Sequence, residues 1–448
     1  MGRYIVLVLL LVLLSACTAQ KEEFKLEAQN VGETDDSLEL SGAANGWSVK
    51  DGTKAAVTEM LMNAKSKLEG DAKYAFVVYT DHHDATEIQH ELLEQLGRDT
   101  KIHGISSFNA VMTNEGLHKS EEGSIAVMLV SSDNVEFGVG SADLEGATDY
   151  EEMGRNTIKQ AIADAGKTES DEPRMVIFSG TWLAGDEGKI LRGIESVIGN
   201  DVPITGGNAR KTVDVQSLIT DEDIYEKGLV LTVIYTHLPV GWDYESQFKL
   251  VEGKNGIITK AEKNMLYEID GRPALDVYDE WLDGKISEGI EVGDFTALTK
   301  FAASNSIARE IIKDGKIYAY GSVRPVINEA NVEDGSIRLG TSVENGDKLH
   351  LMVGTWQTVF ERAEKIPQKA LAKGGMGAGD GLFGILTTCT GLTLSIPESE
   401  LPRIPVIIED NLNGIPFVGQ FTGGEQGYVE GYGNINANLV QSIILVGK

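Results

Sequence analysis

The chain has 448 residues, with 69 acids against 39 bases and a formal net charge of −30. That balance argues against nucleic acid or an anionic membrane surface as a partner, since both repel such a surface, and its plain reading is a solvated acidic exterior. An apolar content of 42% at this length provides for two or three domains with a sizeable core, and two cysteines cannot build a disulfide framework.

In chain order, residues 1–17 read as a signal peptide. One base, Arg3, precedes the apolar run 5–14, and Leu14-Ser15-Ala16-Cys17 closes it. The run is too short for a transmembrane helix. The closing tetrapeptide resembles a bacterial-type lipobox, which implies cleavage before Cys17 and acylation there. Residues 18–48 are polar and acidic and read as a tether. Apolar positions at 56, 57, 60, 61, 64 and 68 form a helix face over 54–68. A buried strand follows at 74–79. A helix spans 84–96, its start marked by Asp84 and Glu87. Further helices are predicted at 150–165 and 187–198, with a strand at 174–178 between them. Strands alternating with helices of this length predict an α/β architecture, with α+β as its near variant: mixed sheets with flanking helices in two pseudo-related halves. The halves are set at 49–238 and 239–448. In the second, Pro273 is placed to start a helix through Trp281. Strands are predicted at 317–326, 336–342, 349–354 and 382–388, and a helix at 357–372.

One pattern recurs. An apolar run stopped by glycine or a polar turn occurs at 102–107, 202–209 and 414–425, and each is followed by a long apolar strand, at 124–130, 228–235 and 438–446. These strand, turn and return-strand units predict internal duplication with spacing too irregular for a solenoid.

Several of these pieces resemble the FIST sensory domain, in its N-terminal and C-terminal parts. They are Gly104-Ile105-Ser106-Ser107, Gly206-Gly207-Asn208-Ala209, residues 258–262, the run Glu268-Ile269-Asp270-Gly271-Arg272-Pro273-Ala274, the strand into Cys389, Pro416 through Gly424-Glu425, and Asn436-Ala437-Asn438. The resemblance covers most of the chain after the tether. It implies a small-ligand sensor with amino acids as the ligand class, and it implies no known chemistry or cofactor. Two departures bear on the ligand. The family carries an arginine shortly after the cysteine, where this chain has Thr390-Gly391-Leu392, and its terminal His-Asn-Gln-Thr-like run is reduced to Ile435-Asn436-Ala437-Asn438.

The candidate ligand-binding residues are Gly206, Gly207, Asn208, Arg272, Arg324, Cys389, Gly424, Glu425 and Asn436. A carboxylate at 425 can hold a ligand amino group, and glycine-turn amides can hold its carboxylate. Arg272 and Arg324, each beside a proline, can hold an anionic group. A catalytic thiol at Cys389 needs a base or cation beside it, and the nearby sequence provides none. His82, His83, Asp84, Glu87 and His90 look like metal ligands, but the helix cap accounts for the acids, and no metal site is assigned. The reading is therefore a lipid-anchored, extracytoplasmic binding protein. A hydrolase-like enzyme using Cys389 or Glu425 is the second reading, and a structural lipoprotein the third. If Cys17 carries the anchor, Cys17→Ser releases the protein into the soluble fraction on membrane fractionation, because the acyl chains are the only apolar anchor the sequence supplies.

Overall fold

The computed structural model describes residues 42–289, 295–327 and 333–448. The leader, Cys17 and most of the tether lie outside them. Among the described residues no helix is long and apolar enough to cross a membrane.

Three units of one design make up most of the chain. The first runs β1 (Ala43–Ser48), α1 (Thr53–Lys65), β2 (Tyr74–Tyr79), α2 (Ala85–Leu96), β3 (Lys101–Ser106), a hairpin of β4 (Val111–Thr113) and β5 (Gly116–His118), and β6 (Ile125–Val130). Its strands lie in the order β1-β6-β2-β3, with β2 and β3 parallel and β6 antiparallel to both β1 and β2. The parallel pair requires a crossover, and α2 provides it. Asp84 accepts a hydrogen bond from the Glu87 amide at 2.8 Å, so the cap read from the sequence forms. Every residue of β2 and β6 is buried, as strands covered on both faces require.

The second unit repeats this with β7 (Val135–Asp143), α3 (Tyr150–Asp164), β8 (Met175–Gly180), α4 (Glu187–Ile198), β9 (Ile204–Asn208), a hairpin of β10 (Leu218–Thr220) and β11 (Ile224–Tyr225), and β12 (Gly228–Thr236). Its order is β7-β12-β8-β9. The third begins with β13 (Val240–Glu245) and is then interrupted. The insertion holds β14 (Lys249–Glu262), β15 (Met265–Ile269), β16 (Arg272–Pro273), α5 (Ala274–Trp281), α6 (Lys285–Gly289), α7 (Phe295–Ser304), β17 (Asn305–Lys313), β18 (Lys316–Ser322), β19 (Pro325–Val326), β20 (Ile337–Leu339) and β21 (Lys348–Val353). These strands form a sheet of their own over a separate core that includes Ile258, Tyr278, Trp281 and Leu349. The third unit resumes with α8 (Trp356–Gly374), β22 (Gly381–Cys389), the short α9 (Thr390–Thr393), α10 (Arg403–Leu412), β23 (Phe417–Thr422), a hairpin of β24 (Glu425–Val429) and β25 (Gly433–Ala437), and β26 (Gln441–Gly447), in the order β13-β26-β22-β23.

No unit completes its own sheet. The hairpin of the second unit pairs with β3 of the first, that of the first with β23 of the third, and that of the third with β9 of the second. The exchange is cyclic. One face of each sheet turns to a common core, where Phe76, Phe137, Ile177, Phe383 and Ile444 are buried together. The opposite face of each sheet carries its own pair of helices over a satellite core. The α/β class with mixed sheets and flanking helices is as expected, and so are the three strand-turn-return copies. The halves divided near residue 238 hold two units and one unit plus the insertion. Ala43–Ser48, placed by composition in the tether, is instead an edge strand paired with β6. Small residues hid it: Ala43, Ala44 and Gly46 give no strand signal, although Gly46 is needed where the strand meets α1, since a Cβ there would stand 2.1 Å from Met60 O.

Burial also places histidine inside. His103 on β3 receives no solvent, its Nδ1 lies 2.7 Å from Thr232 Oγ1 on β12, and burial pushes its pKa down to about 3. His83 and His118 are pushed down to about 4 for the same reason. An unfolded histidine takes its proton near pH 6.5, well before the folded one, so these groups contribute stability above that pH and lose it as pH falls. Urea denaturation at pH 6.5 and 5 is expected to show a loss in the wild type that exceeds the loss in His103→Gln by about 2 kcal/mol. Equal losses would mean that His103 does not titrate with folding.

Candidate functional site

The ends of β3, β9 and β23 meet in a ring of backbone hydrogen bonds. The Phe108 amide donates to Phe421 O at 3.1 Å, the Gly423 amide to Asn208 O at 3.0 Å, and the Arg210 amide to Ser106 O at 3.0 Å. Each link crosses from one unit to the next. The junctions are alike in backbone and unlike in side chains. The hairpins that follow β3 and β9 open with Val111 and Leu218, and the one that follows β23 opens with Glu425.

Glu425 is wholly buried. Its Oε1 accepts from Thr422 Oγ1 at 3.0 Å, and its Oε2 has no hydrogen-bond partner. Burial pushes its carboxyl well above the usual range, while the Cys389 thiol, Thr422 and the amides of Val440 and Gly424 pull the other way. Burial also pushes the Cys389 thiol up, and Glu425 adds to that push, while Arg324 opposes it. Both groups are thus held towards their neutral forms. Tyr244 donates its hydroxyl to Glu425 O at 2.9 Å and closes the far side.

Amide side chains gather on the open side. A methyl placed on Gly424 would stand 3.0 Å from Asn208 Nδ2, 3.7 Å from Asn438 Nδ2 and 3.8 Å from Asn436 Oδ1. Asn208 Nδ2 donates to Glu187 Oε1 at 3.3 Å, and Asn436 accepts from Gln426 and donates to Thr341 Oγ1, both at 3.0 Å. The side-chain oxygens of Asn208 and Asn438 are buried without partners. Buried polar atoms are ordinarily paired, so several unpaired ones around one glycine mark a place built to meet polar groups. A crevice of about 640 Å³ reaches Asn436 and Thr341 from the side of α4 and the inserted sheet.

The structure brings Asn208, Cys389, Gly424, Glu425 and Asn436 together, and Arg324 joins them from the inserted sheet. The family's arginine after the cysteine is missing, but Arg324 stands over Gly391, where a methyl would lie 3.4 Å from its Cδ and 3.5 Å from Cys389 Sγ. Arg272 lies elsewhere, exposed on the insertion and 2.7 Å from Glu280. Gly206 and Gly207 sit beside the site, but they pair with Gln426 and Glu425 across β9 and β24. Their role is close approach: a Cβ on Gly206 would stand 1.8 Å from Phe178 O, and on Gly207 2.5 Å from Thr422 Cβ. Sequence reasoning did not single out Arg210, Glu187, Thr422, Gln426 or Asn438 as site residues. Asn438 carried a signal as part of the family's terminal run, and Thr422 as part of the run from Pro416 to Glu425.

Residues 73–272 match the FIST N domain and residues 274–428 the FIST C domain. The chain belongs to the FIST family. The two matched FIST regions meet inside the insertion, beside Pro273, and between them they contribute Asn208 and Arg210 from the first, and Arg324, Cys389 and Glu425 from the second. No curated protein matches the chain. Among solved structures, cyanuric acid hydrolase from A. caulinodans aligns over 91% of this FIST chain and 99% of its own, at 9% identity and a TM-score of 0.36, a likeness too low to carry any argument about the site.

Gly424 has φ +87°, and Gly253 on the insertion has φ +76° with open space around it. Gly424→Ala is expected to lose about 1–2 kcal/mol from backbone strain plus a further loss from crowding Asn208, while Gly253→Ala loses only the strain. Urea denaturation of both variants measures the difference, and equal losses would mean that Asn208 does not constrain Gly424.

Proposed function

We propose that this FIST chain binds a small amphoteric, amino-acid-like ligand at the Glu425 cluster and acts as a sensor or binding protein, held at an extracytoplasmic membrane face by lipid on Cys17. FIST domains are sensory domains thought to bind small ligands. The observation that carries the reading is the buried carboxyl of Glu425 with one unpartnered oxygen, next in the chain to Gly424, around which three asparagines gather. A ligand ammonium is a strong partner for that oxygen, and the amide groups can read the remaining polar atoms.

The electrostatics favour binding over nucleophilic catalysis. A reactive cysteine works as thiolate, and here burial and Glu425 both disfavour the thiolate. Glu425 holds its proton in the folded protein above the pH at which the unfolded chain releases it, so its contribution to stability falls as pH rises. An ammonium partner requires the ionised carboxyl. Binding therefore releases a proton, and affinity for such a ligand rises with pH through the range in which Glu425 ionises.

A thermal-shift screen of the mature chain against amino acids and related metabolites finds the ligand class. Glu425→Gln keeps the shape and removes the charge. It is expected to weaken binding of a hit by about 1.5–3 kcal/mol, the range for a hydrogen bond to a charged group. Calorimetry on both proteins checks this, and equal affinity in a folded Gln variant would remove Glu425 from the site.

A further inference from the structure

The glycine-turn amides at the site are engaged in strand pairing, so another group must meet an anionic part of any ligand. Two guanidiniums stand there. Arg210 follows Asn208 by two residues and crosses Gly423: a methyl on Gly423 would stand 2.6 Å from its Cδ and 3.2 Å from its Nη1. Its Nε is buried without a partner. Arg324 crosses Gly391 beside Cys389. Each cation lies close enough to act on the other, and Arg324 also interacts with Cys389 and Glu425. Arg272, Arg309 and Arg362 each reach a carboxylate within 4.0 Å, whereas Arg210 and Arg324 form no such ion pair among the described residues.

Two like charges held near one another on half-buried side chains are unfavourable unless an anion lies near both. The protein's nearby acids do not supply one, because Glu425 and Cys389 are both held towards their neutral forms. We infer that the site takes a small carboxylate, its anionic end bridged by Arg210 and Arg324 and its other polar end facing Glu425 and the asparagines. This rests on the proposal that the Glu425 cluster is the ligand site. A guanidinium pair suits a planar carboxylate, since each fork presents parallel N–H donors.

The test is a thermal-shift and calorimetry panel on the mature chain. The probes are amino acids, the matching amino-acid amides, which keep the ammonium and lose the carboxylate, and the matching carboxylic acids without the amino group. Arg210→Gln and Arg324→Gln are measured beside Arg210→Lys and Arg324→Lys, with circular dichroism melts confirming that each variant folds. The expected result is a response that requires the carboxylate and weakens about tenfold or more in each Gln variant, with partial recovery in the Lys variants. Amides that bind as tightly as the parent amino acids, or Gln variants that bind like wild type, would overturn the arginine bridge while leaving the Glu425 site standing. No response to any probe class would overturn both.

Discussion

The constraint on which the rest of the structure depends is the cyclic exchange of hairpins. Each sheet is completed by a strand from another unit, and the three β3-like strand ends are tied by backbone hydrogen bonds from Phe108, Gly423 and Arg210. An isolated unit would leave an unpaired strand edge and one apolar sheet face bare. Closing the cycle removes both liabilities together. It also brings three turns from distant parts of the chain within hydrogen-bond reach of one another, and so carries residue 208 to the place where the third unit's own strand pairing holds 389 beside 422.

A threefold backbone with one acid-bearing junction explains why the chain has one candidate site instead of three. At two junctions the incoming hairpin opens with Val111 or Leu218, and the polar side chains beside them are serines already paired: Ser106 Oγ accepts from the Ser217 amide and Ser107 Oγ donates to Ala110 O. At the third it opens with Glu425, whose carboxyl accepts from Thr422, while Asn208 and Asn436 stand by the neighbouring Gly424 and Gln426. A buried acid at a packed junction costs several kcal/mol unless it is neutral or partnered. The folded chain meets that cost by keeping the carboxyl towards its protonated form, which leaves the same group able to ionise when a cationic partner arrives.

Much of the repeated scaffold was legible because its strands are continuous apolar runs and its helices begin with recognisable caps. Tyr74–Tyr79 and Glu187–Ile198 fall where the pattern puts them. The turns before Asn208 and Glu425 stood out as glycine pairs after strands. What the sequence could not show is contact between units. Ala43–Ser48 was lost because small residues at a close strand-helix approach carry no strand signal. Arg210 was passed over because nothing local distinguishes it from a surface base; only the ring places it over Gly423. The glycine amides were assigned to a ligand because β9 reads as ending in an open turn, whereas it is paired on both sides, by β8 of its own unit and by β24 of another. Arg272 and Arg324 looked equivalent in sequence, each beside a proline, and only the fold separates an exposed residue paired with Glu280 from one standing over Gly391.

The insertion follows none of the threefold logic, yet the site's electrostatics depend on it. Its own core is separate, and it touches the ring where Ser322 O accepts from the Asn438 amide, Thr341 accepts from Asn436, and Arg324 overlies Gly391. Arg324 is the cation that favours the ionised thiol of Cys389, while Glu425 favours the neutral one. The repeated units supply the acid, the thiol, two asparagine-bearing turns and Arg210; the insertion supplies the second positive charge and the hydroxyl of Thr341. The charge balance at the ring therefore holds only while the insertion is docked. Group by group, the contacts that dock it are also contacts of the site, so a bound anion pulling on Arg324 acts directly on the element that carries it.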